Sequence, residues 1–328
     1  MNAPEILKPL KTWSHLAGQR RKPSEYEIVS TNLHFTTDNP AAPFELDPNF
    51  PMQEWFRKNR NASPLRHSDW NAFRDPDETV YRTYCLLQDG QETYVYGLFD
   101  QFSARGHDQM LESSWAGSLA RLYAPARYLM HALQMGSAYL TQIAPSSTIS
   151  NCAAYQAGDS LRWLTHTAYR TKELSKTFGE IGFGRDERAY WEGDKAWQGF
   201  RELIEKALIA WDWAESFVAL NLVARPAFEE TVLRGLGHAG RHNGDMLLGL
   251  LCDAQLNDVQ RHRRWAGALV KMALGLDGNR EVIQGWVQKW EPLADAAIDA
   301  YCAALPDAPA AAANAREATR AFRQGLGL

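Results

Sequence analysis

A chain of 328 residues can bury a sizeable core, as one large domain or two closely packed ones. Its formal net charge of -4 carries none of the basic excess that a nucleic-acid or anionic-membrane partner calls for. The start, Met1 to Leu10, lacks an apolar core of signal-peptide length, and no apolar run is long enough to span a bilayer. The four cysteines, Cys85, Cys152, Cys252 and Cys302, show neither CxxC nor zinc spacing, a usage that suits a reducing cytoplasm.

Residues 1–76 differ from the rest. Nine of the fifteen prolines lie there, with Asn39-Pro40, Ala42-Pro43, Asp47-Pro48 and Phe50-Pro51 close together. Each proline removes a donor and pushes the preceding residue out of the helical region, so long helices are excluded. Yet the segment carries Trp13, Tyr26, Phe35, Phe44, Trp55, Phe56, Trp70 and Phe73, whereas disordered segments are poor in aromatics. Two readings are open: an irregular strap over its own domain, or an extended arm that wraps a neighbouring subunit. In the second, rings such as Trp13, Phe35 and Trp55 belong to a subunit interface.

From Asp77 onward the pattern is helical, and residues 77–305 are expected to form one all-α bundle. Asp75-Pro76-Asp77-Glu78 is a start signal, after which Val80, Tyr84, Leu87, Tyr94, Leu98 and Phe102 keep one apolar face until Gly106. Further helices are predicted at Asp108 to Tyr123, from Pro125 to about Ile143, and from the Pro145-Ser146-Ser147-Thr148 cap to about Phe178. Gly179 to Gly184 reads as a loop and Trp191 as the centre of a short turn. The next helix holds Phe200 to Val223 unbroken, is kinked at Pro226 and ends before a loop from Gly235 to Gly244. Helices at about Asp245 to Leu274 and Arg280 to Leu305 follow. The Ala-rich tail, 306–328, is expected to be partly helical and loosely attached. No strand alternation of any length is present.

Two stretches of the bundle share a frame. Asp159-Ser160-Leu161-Arg162-Trp163 and Asp258-Val259-Gln260-Arg261-His262 both place an Asp three residues before an Arg, followed by a large ring. In ferritin-like di-iron bundles this frame reads Asp-Glu-x-Arg-His, and its Glu-x-x-His core supplies a carboxylate and an imidazole from one helix face. Here Ser160, Trp163 and Val259 replace three of those four positions and only His262 survives. None of the nine histidines has Asp or Glu three residues before it, and Ser113 to Gly158 contains no acid at all. Glu215, in Asp212-Trp213-Ala214-Glu215, could fill the role of a lone acid ahead of the second frame. Two ligand positions of six do not hold an oxygen-activating cluster. Cys152, Gln156, Ser160, Trp163 and Thr167 share one side of their helix, and Cys252, Leu256, Val259, His262, Ala266 and Val270 share one side of theirs. The expectation is a packed core, with Trp163 filling the metal volume. Asp159 with Arg162, and Asp258 with Arg261, can each pair at i,i+3 or across the bundle, as structural ion pairs.

Longer runs make the resemblance specific. Lys11-Thr12-Trp13-Ser14-His15-Leu16, Lys22-Pro23-Ser24-Glu25-Tyr26, Tyr81-Arg82-Thr83-Tyr84, Gln88-Asp89-Gly90-Gln91-Glu92, Asp159 to Arg170, and Arg263-Arg264-Trp265 with Ala268-Leu269-Val270-Lys271 all match one group. The chain resembles the β subunit of the hydroxylase component of bacterial multicomponent aromatic-hydrocarbon monooxygenases of the toluene and o-xylene type. The match covers about residues 10–305.

That resemblance implies a ferritin-like, ribonucleotide-reductase-like bundle with no cofactor of its own. A catalytic α subunit of the same fold would carry the di-iron centre and the substrate channel. A γ subunit would complete an (αβγ)2 assembly containing a second copy of this chain. A Rieske ferredoxin, a flavin reductase and an effector protein would serve it, with O2 and NADH as co-substrates. The chain would be a subunit of an oxidoreductase without a catalytic site itself. Related phenol or alkene hydroxylases have similar β subunits, and a self-sufficient metalloenzyme built on Glu215 and His262, or a stand-alone helical adapter, are the other readings. Iron content of the isolated chain separates the metalloenzyme; co-purifying partners separate the adapter.

Overall fold

The computed structural model describes residues 22–33, 47, 49–306 and 308–328. Among them the architecture is all-α, with no strand. Among its described residues the proline-rich start forms two short α-helices, α1 (Glu25–Ser30) and α2 (Pro51–Phe56), with a π-helical turn at Arg57–Asn61 and a 3-10 turn at Trp70–Ala72. Ser24 opens α1 by accepting from the Glu27 amide while the Glu27 carboxylate accepts from the Ser24 amide, which satisfies two donors that a helix start leaves free. The described part of this segment lies over its own bundle. Tyr26 is buried and its hydroxyl accepts from the Asp75 amide at 3.0 Å. Leu33 N donates to Ser147 Oγ, and Ser147 Oγ donates to Ser30 O. Trp13 and Phe35 lie outside the described residues.

The bundle follows in chain order: α3 (Tyr81–Ala104), α4 (Ser113–Ser118), α5 (Ala126–Ile143) and α6 (Ser147–Thr177). Then come α7 (Glu187–Gly193), α8 (Lys195–Ala207), α9 (Trp213–Phe217), α10 (Arg225–Phe228) and α11 (Leu236–His242). The last are α12 (Met246–Ala273), α13 (Asn279–Cys302) and α14 (Ala311–Gly325). The π-helical turns Val218–Ala224 and Glu229–Gly235 join α9, α10 and α11 into one rod. This rod, α5, α6 and α12 pack together at mid-bundle, and the buried core continues through α4, α8 and α13. Trp115, Trp163, Trp197, Trp213 and Trp265 are all fully buried. At ~25 cal/mol per Å2 and roughly 200 Å2 per ring, each contributes about 5 kcal/mol before entropic costs.

Several boundaries differ from the sequence pattern for identifiable reasons. The Gly235–Gly244 stretch is helical through His242. Gly237 and Gly240 are there for close packing: a Cβ on Gly237 would sit 3.0 Å from Cys252 Cβ, and one on Gly240 would sit 3.1 Å from Leu248 Cδ2. Only Gly244, at φ +76, makes the turn. The helix predicted through Phe200 to Val223 breaks after Ala207, because Asp212 caps a new one by accepting from the Ala214 and Glu215 amides. Trp191 sits in α7 instead of a turn. Asp75 and Asp77 do not begin α3; Asp75 accepts from the Asp77 and Thr79 amides and forms a turn ahead of it.

The tail is not loose. In α14, Ala315, Thr319 and Arg323 are buried, and Arg323 Nη1 donates to Leu222 O at 3.2 Å. The buried face of α3 is also rotated from the one expected: Gln88, Val95, Leu98 and Phe99 point inward, while Leu87 and Tyr94 are 47% and 45% exposed. The polar residues on its inner face have partners in the site described next.

Candidate functional site

The two frames lie side by side at mid-bundle, Asp159 to Trp163 on α6 and Asp258 to His262 on α12, and their charges cross. Arg261 Nη2 donates to Asp159 Oδ2, while its own-frame neighbour Asp258 is 3.5 Å away. Arg162 Nη1 donates to Asp258 Oδ2 at 3.3 Å and lies 3.5 Å from Asp159. Its Nε donates to Glu92 Oε1 of α3 at 2.7 Å. His262 Nε2 donates to Asp159 Oδ2 at 2.7 Å. Gln88 ties the two carboxylates together, donating through Nε2 to Asp159 Oδ1 at 2.8 Å and to Asp258 Oδ1 at 3.2 Å. Tyr84 adds its hydroxyl to Asp159 Oδ1 at 3.0 Å. It gets close because residue 158 is glycine; a Cβ there would stand 2.5 Å from the phenol oxygen.

Burial opposes the charge on Asp159, but the His262 hydrogen bond and the Arg261 and Arg162 charges win and hold its carboxyl below the usual range. Burial depresses the His262 imidazole; the bond to Asp159 resists this, and the charges of Arg225 and Arg261 add to it. The pair is therefore a carboxylate and a neutral imidazole. Burial likewise works against Arg162 and Arg261, whose guanidinium pKa values are nevertheless raised by Asp258 and Asp159 respectively, their strongest acidic neighbours.

The four ligand positions of the frame have other occupations. Trp163 Nε1 donates to Asp258 Oδ2 at 3.0 Å, and its ring stacks on Phe228 with centroids 6.2 Å apart. Val259 is buried among apolar neighbours. Ser160 Oγ donates back to Gln156 O at 3.0 Å and accepts from Arg225 Nη2 at 3.0 Å. Glu215 is not brought to this place. Its carboxylate accepts from Lys289 Nζ at 2.6 Å and from Trp290 Nε1 at 3.1 Å on α13. The residue of the rod that faces Ser160 is Arg225, fully buried and bound as well to Ser137 Oγ at 2.7 Å and Leu133 O at 3.2 Å. Burial lowers its pKa to about 10.

Sequence reasoning missed Arg225, although it is the only charged residue between Glu215 and Glu229. It also missed Tyr84, Gln88 and Glu92, whose i,i+4 spacing on α3 was the available signal.

These residues do not fit a pair of iron ions. A fixed cation, Arg225, occupies the side where a carboxylate ligand would stand. Both aspartates are bound by arginines, and the imidazole nitrogen nearest a carboxylate is already donating. Among the described residues no three His, Cys, Asp or Glu side chains are grouped to hold a metal. What the arrangement does instead is lock α3, α6 and α12 together through charge-assisted hydrogen bonds.

A family model described as Methane/Phenol/Alkene Hydroxylase matches residues 53–277, which include both frames. The chain belongs to this family. It is 57% identical over 301 residues to the hydroxylase component subunit beta of the toluene-4-monooxygenase system of Ectopseudomonas mendocina, covering 92% of each protein. It superposes on a chain of toluene 4-monooxygenase, solved with toluene bound in the resting active site, with a TM-score of 0.87 and 56% identity. That match covers 92% of this chain and 99% of the solved one. A chain of xenon-pressurised phenol hydroxylase from Pseudomonas sp. OX1 shares the fold, with a TM-score of 0.85 at 22% identity over 100% of this chain and 98% of the other. The fold is the ferritin-like helical bundle of these hydroxylases.

Proposed function

We propose that this chain is the non-catalytic β subunit of a di-iron aromatic-hydrocarbon monooxygenase hydroxylase acting on toluene, benzene or o-xylene. It scaffolds a catalytic α subunit, which holds the iron, in an (αβγ)2 assembly with a γ subunit and a second copy of itself. The observation that carries this reading is the 57% identity along 92% of the chain to a hydroxylase subunit beta. It gains support from a core in which arginines and a tryptophan take up the groups that iron would need. An effector protein, a Rieske ferredoxin and a reductase complete the cytoplasmic system, with O2 and NADH as co-substrates.

Surface chemistry also supports an assembled state. Tyr81, Leu86, Leu87, Tyr94 and Tyr96 on α3 are exposed large apolar side chains, as are Leu161 and Tyr169 on α6. Apolar surface of this extent is characteristic of obligate subunit contacts. In this reading residues 1–76 are an N-terminal segment whose described part straps its own bundle, 77–305 are the bundle and 306–328 a tail packed on it. No helix among the described residues is long and apolar enough to cross a membrane.

Co-expression with the candidate α and γ chains tests the proposal. The expected outcome is one complex with iron in the α subunit and NADH-dependent hydroxylation of toluene once the electron-transfer components are added. Iron bound to this chain alone, or its purification without a di-iron partner, would overturn it. Turnover of phenol or an alkene in place of toluene would move it to a related hydroxylase.

A further inference from the structure

Seven of the buried side-chain polar atoms without a protein partner belong to four residues of the core. They are Arg225 Nε and Nη1, His262 Nδ1, both amide atoms of Gln156 and both of Asn221. All four side chains are buried, with exposures of 1% for Arg225, 3% for His262, 1% for Gln156 and 5% for Asn221. They come from the three elements that meet in the core. Gln156 stands one turn before Ser160 on α6, and Asn221 one turn before Arg225 on the rod. Ser160 and Arg225 touch, at 3.0 Å. Arg225 is near enough to His262 for its charge to disfavour a charged imidazole. Asn221 lies within the π turn Val218–Ala224, and such insertions recur where a helix serves a local site.

A buried polar group left unpaired costs roughly 1–3 kcal/mol, and a charged one more. A cluster of them therefore calls for a ligand that the protein itself does not supply. The protons decide its nature. His262 Nε2 faces an ionised carboxylate, so it carries the ring proton, and Nδ1 of the neutral ring is a bare acceptor. Arg225 offers donors only. A bridging partner must accept from the guanidinium and donate to the imidazole. Water does both, whereas a halide or carboxylate has no proton to give. Charge points the same way, because Glu229 and Asp159 already act on Arg225.

We propose that Arg225, His262, Gln156 and Asn221 form an internal hydration site, in which one or two ordered waters accept from Arg225 and donate to His262 Nδ1. The amides of Gln156 and Asn221 complete the two to four contacts that a buried water makes. The site fixes the His262 ring from the side opposite Asp159 and hydrates a guanidinium that has no carboxylate bonded to it.

Crystals of the chain with whatever partners it co-purifies with, soaked in sodium bromide and with data collected across the bromine edge, test this. The expected result is oxygen-sized density about 2.7–3.2 Å from both Arg225 and His262 Nδ1, without an anomalous peak. A bromide peak at Arg225 overturns it in favour of an anion site. Direct bonds among the four side chains, with no ordered water, also overturn it. In an Arg225→Met variant the water should be lost; if it stays, Arg225 is not its holder. The readout lies in this chain's own core and does not depend on which partners co-purify.

Discussion

His262 Nε2 lies 2.7 Å from Asp159 Oδ2, so the surviving ring of one frame is bonded to the surviving carboxylate of the other. Arg261 joins the same oxygen, and Arg162 makes the reciprocal crossing to Asp258. The Asp and Arg positions of each half thus close on the opposite half.

Asp159→Ala should expose how much this crossing stabilises. It would leave the buried Arg261 guanidinium and the His262 proton without their acceptor. Breaking a buried pair from one side costs about 3–5 kcal/mol. The yield of assembled hydroxylase should fall while turnover per assembled complex holds. Turnover lost at unchanged yield would mean that Asp159 does more than hold helices together.

The same pair predicts acid lability. Both folded-state pKa values are depressed, so stability is full above the unfolded values and is lost as pH falls. For His262 the loss begins below about pH 6.5, where an unfolded imidazole takes up a proton that the folded one resists; for Asp159 it comes below about pH 4. The thermal midpoint of wild type should therefore fall more steeply than that of His262→Gln between about pH 6.5 and pH 5. Glu229, whose pKa burial raises, acts in the opposite sense in both proteins and cancels in the difference. Parallel curves would remove His262 from the account.

Ser160 and Arg225 supply a double-mutant test. Ser160→Glu puts a carboxylate beside a buried cation that has no acidic hydrogen-bond partner, 3.0 Å from the present hydroxyl. Its destabilisation should be smaller in the native background than with Arg225→Met. The coupling should be about 1–3 kcal/mol, read from urea midpoints. Neither variant should gain iron, since Trp163 and Val259 still occupy ligand positions.

The fold class and the place of the site were legible because periodicity and the repeated Asp-x-x-Arg spacing are local signals. Trp163 and His262 could be put on facing stripes for the same reason. Arg225 was not legible. An arginine before a proline in an apolar run looks like a helix boundary, and only the packing of α5 and α6 around it shows that it is internal. Glu215 was misplaced because it stands ten residues before Arg225, roughly 15 Å along the rod at about 1.5 Å per residue, where its carboxylate is held by Lys289 and Trp290 of α13. Glycines misled at α11, where they serve close packing against α12. The crossed pairing was left open by spacing alone, since i,i+3 neighbours and opposite helices were equally in reach.

The start of the chain carries the last prediction. The described residues 22–33 and 49–76 lie on their own bundle. Trp55 Nε1 donates to Tyr139 Oη at 3.1 Å, and its ring meets Trp211 at 5.3 Å. Ser63 Oγ donates to Asp212 Oδ1 at 2.9 Å, and Arg66 N to Asn279 Oδ1 at 3.0 Å. Deleting residues 1–60 would therefore damage the bundle as well as any arm, and its outcome would mix two causes. Deleting residues 1–21 leaves all of these contacts in place while removing Trp13 and the first matching run. If that stretch grips a neighbouring subunit, the truncated chain co-expressed with its partners should elute below the mass of the full assembly. Its helix content by circular dichroism should be unchanged. Obligate contacts commonly exceed ~2,000 Å2, so losing one aromatic arm should lower the fraction assembled without abolishing it. A full-sized complex at wild-type yield would show that the first 21 residues take no part in assembly, and the interface would then rest on the exposed faces of α3 and α6.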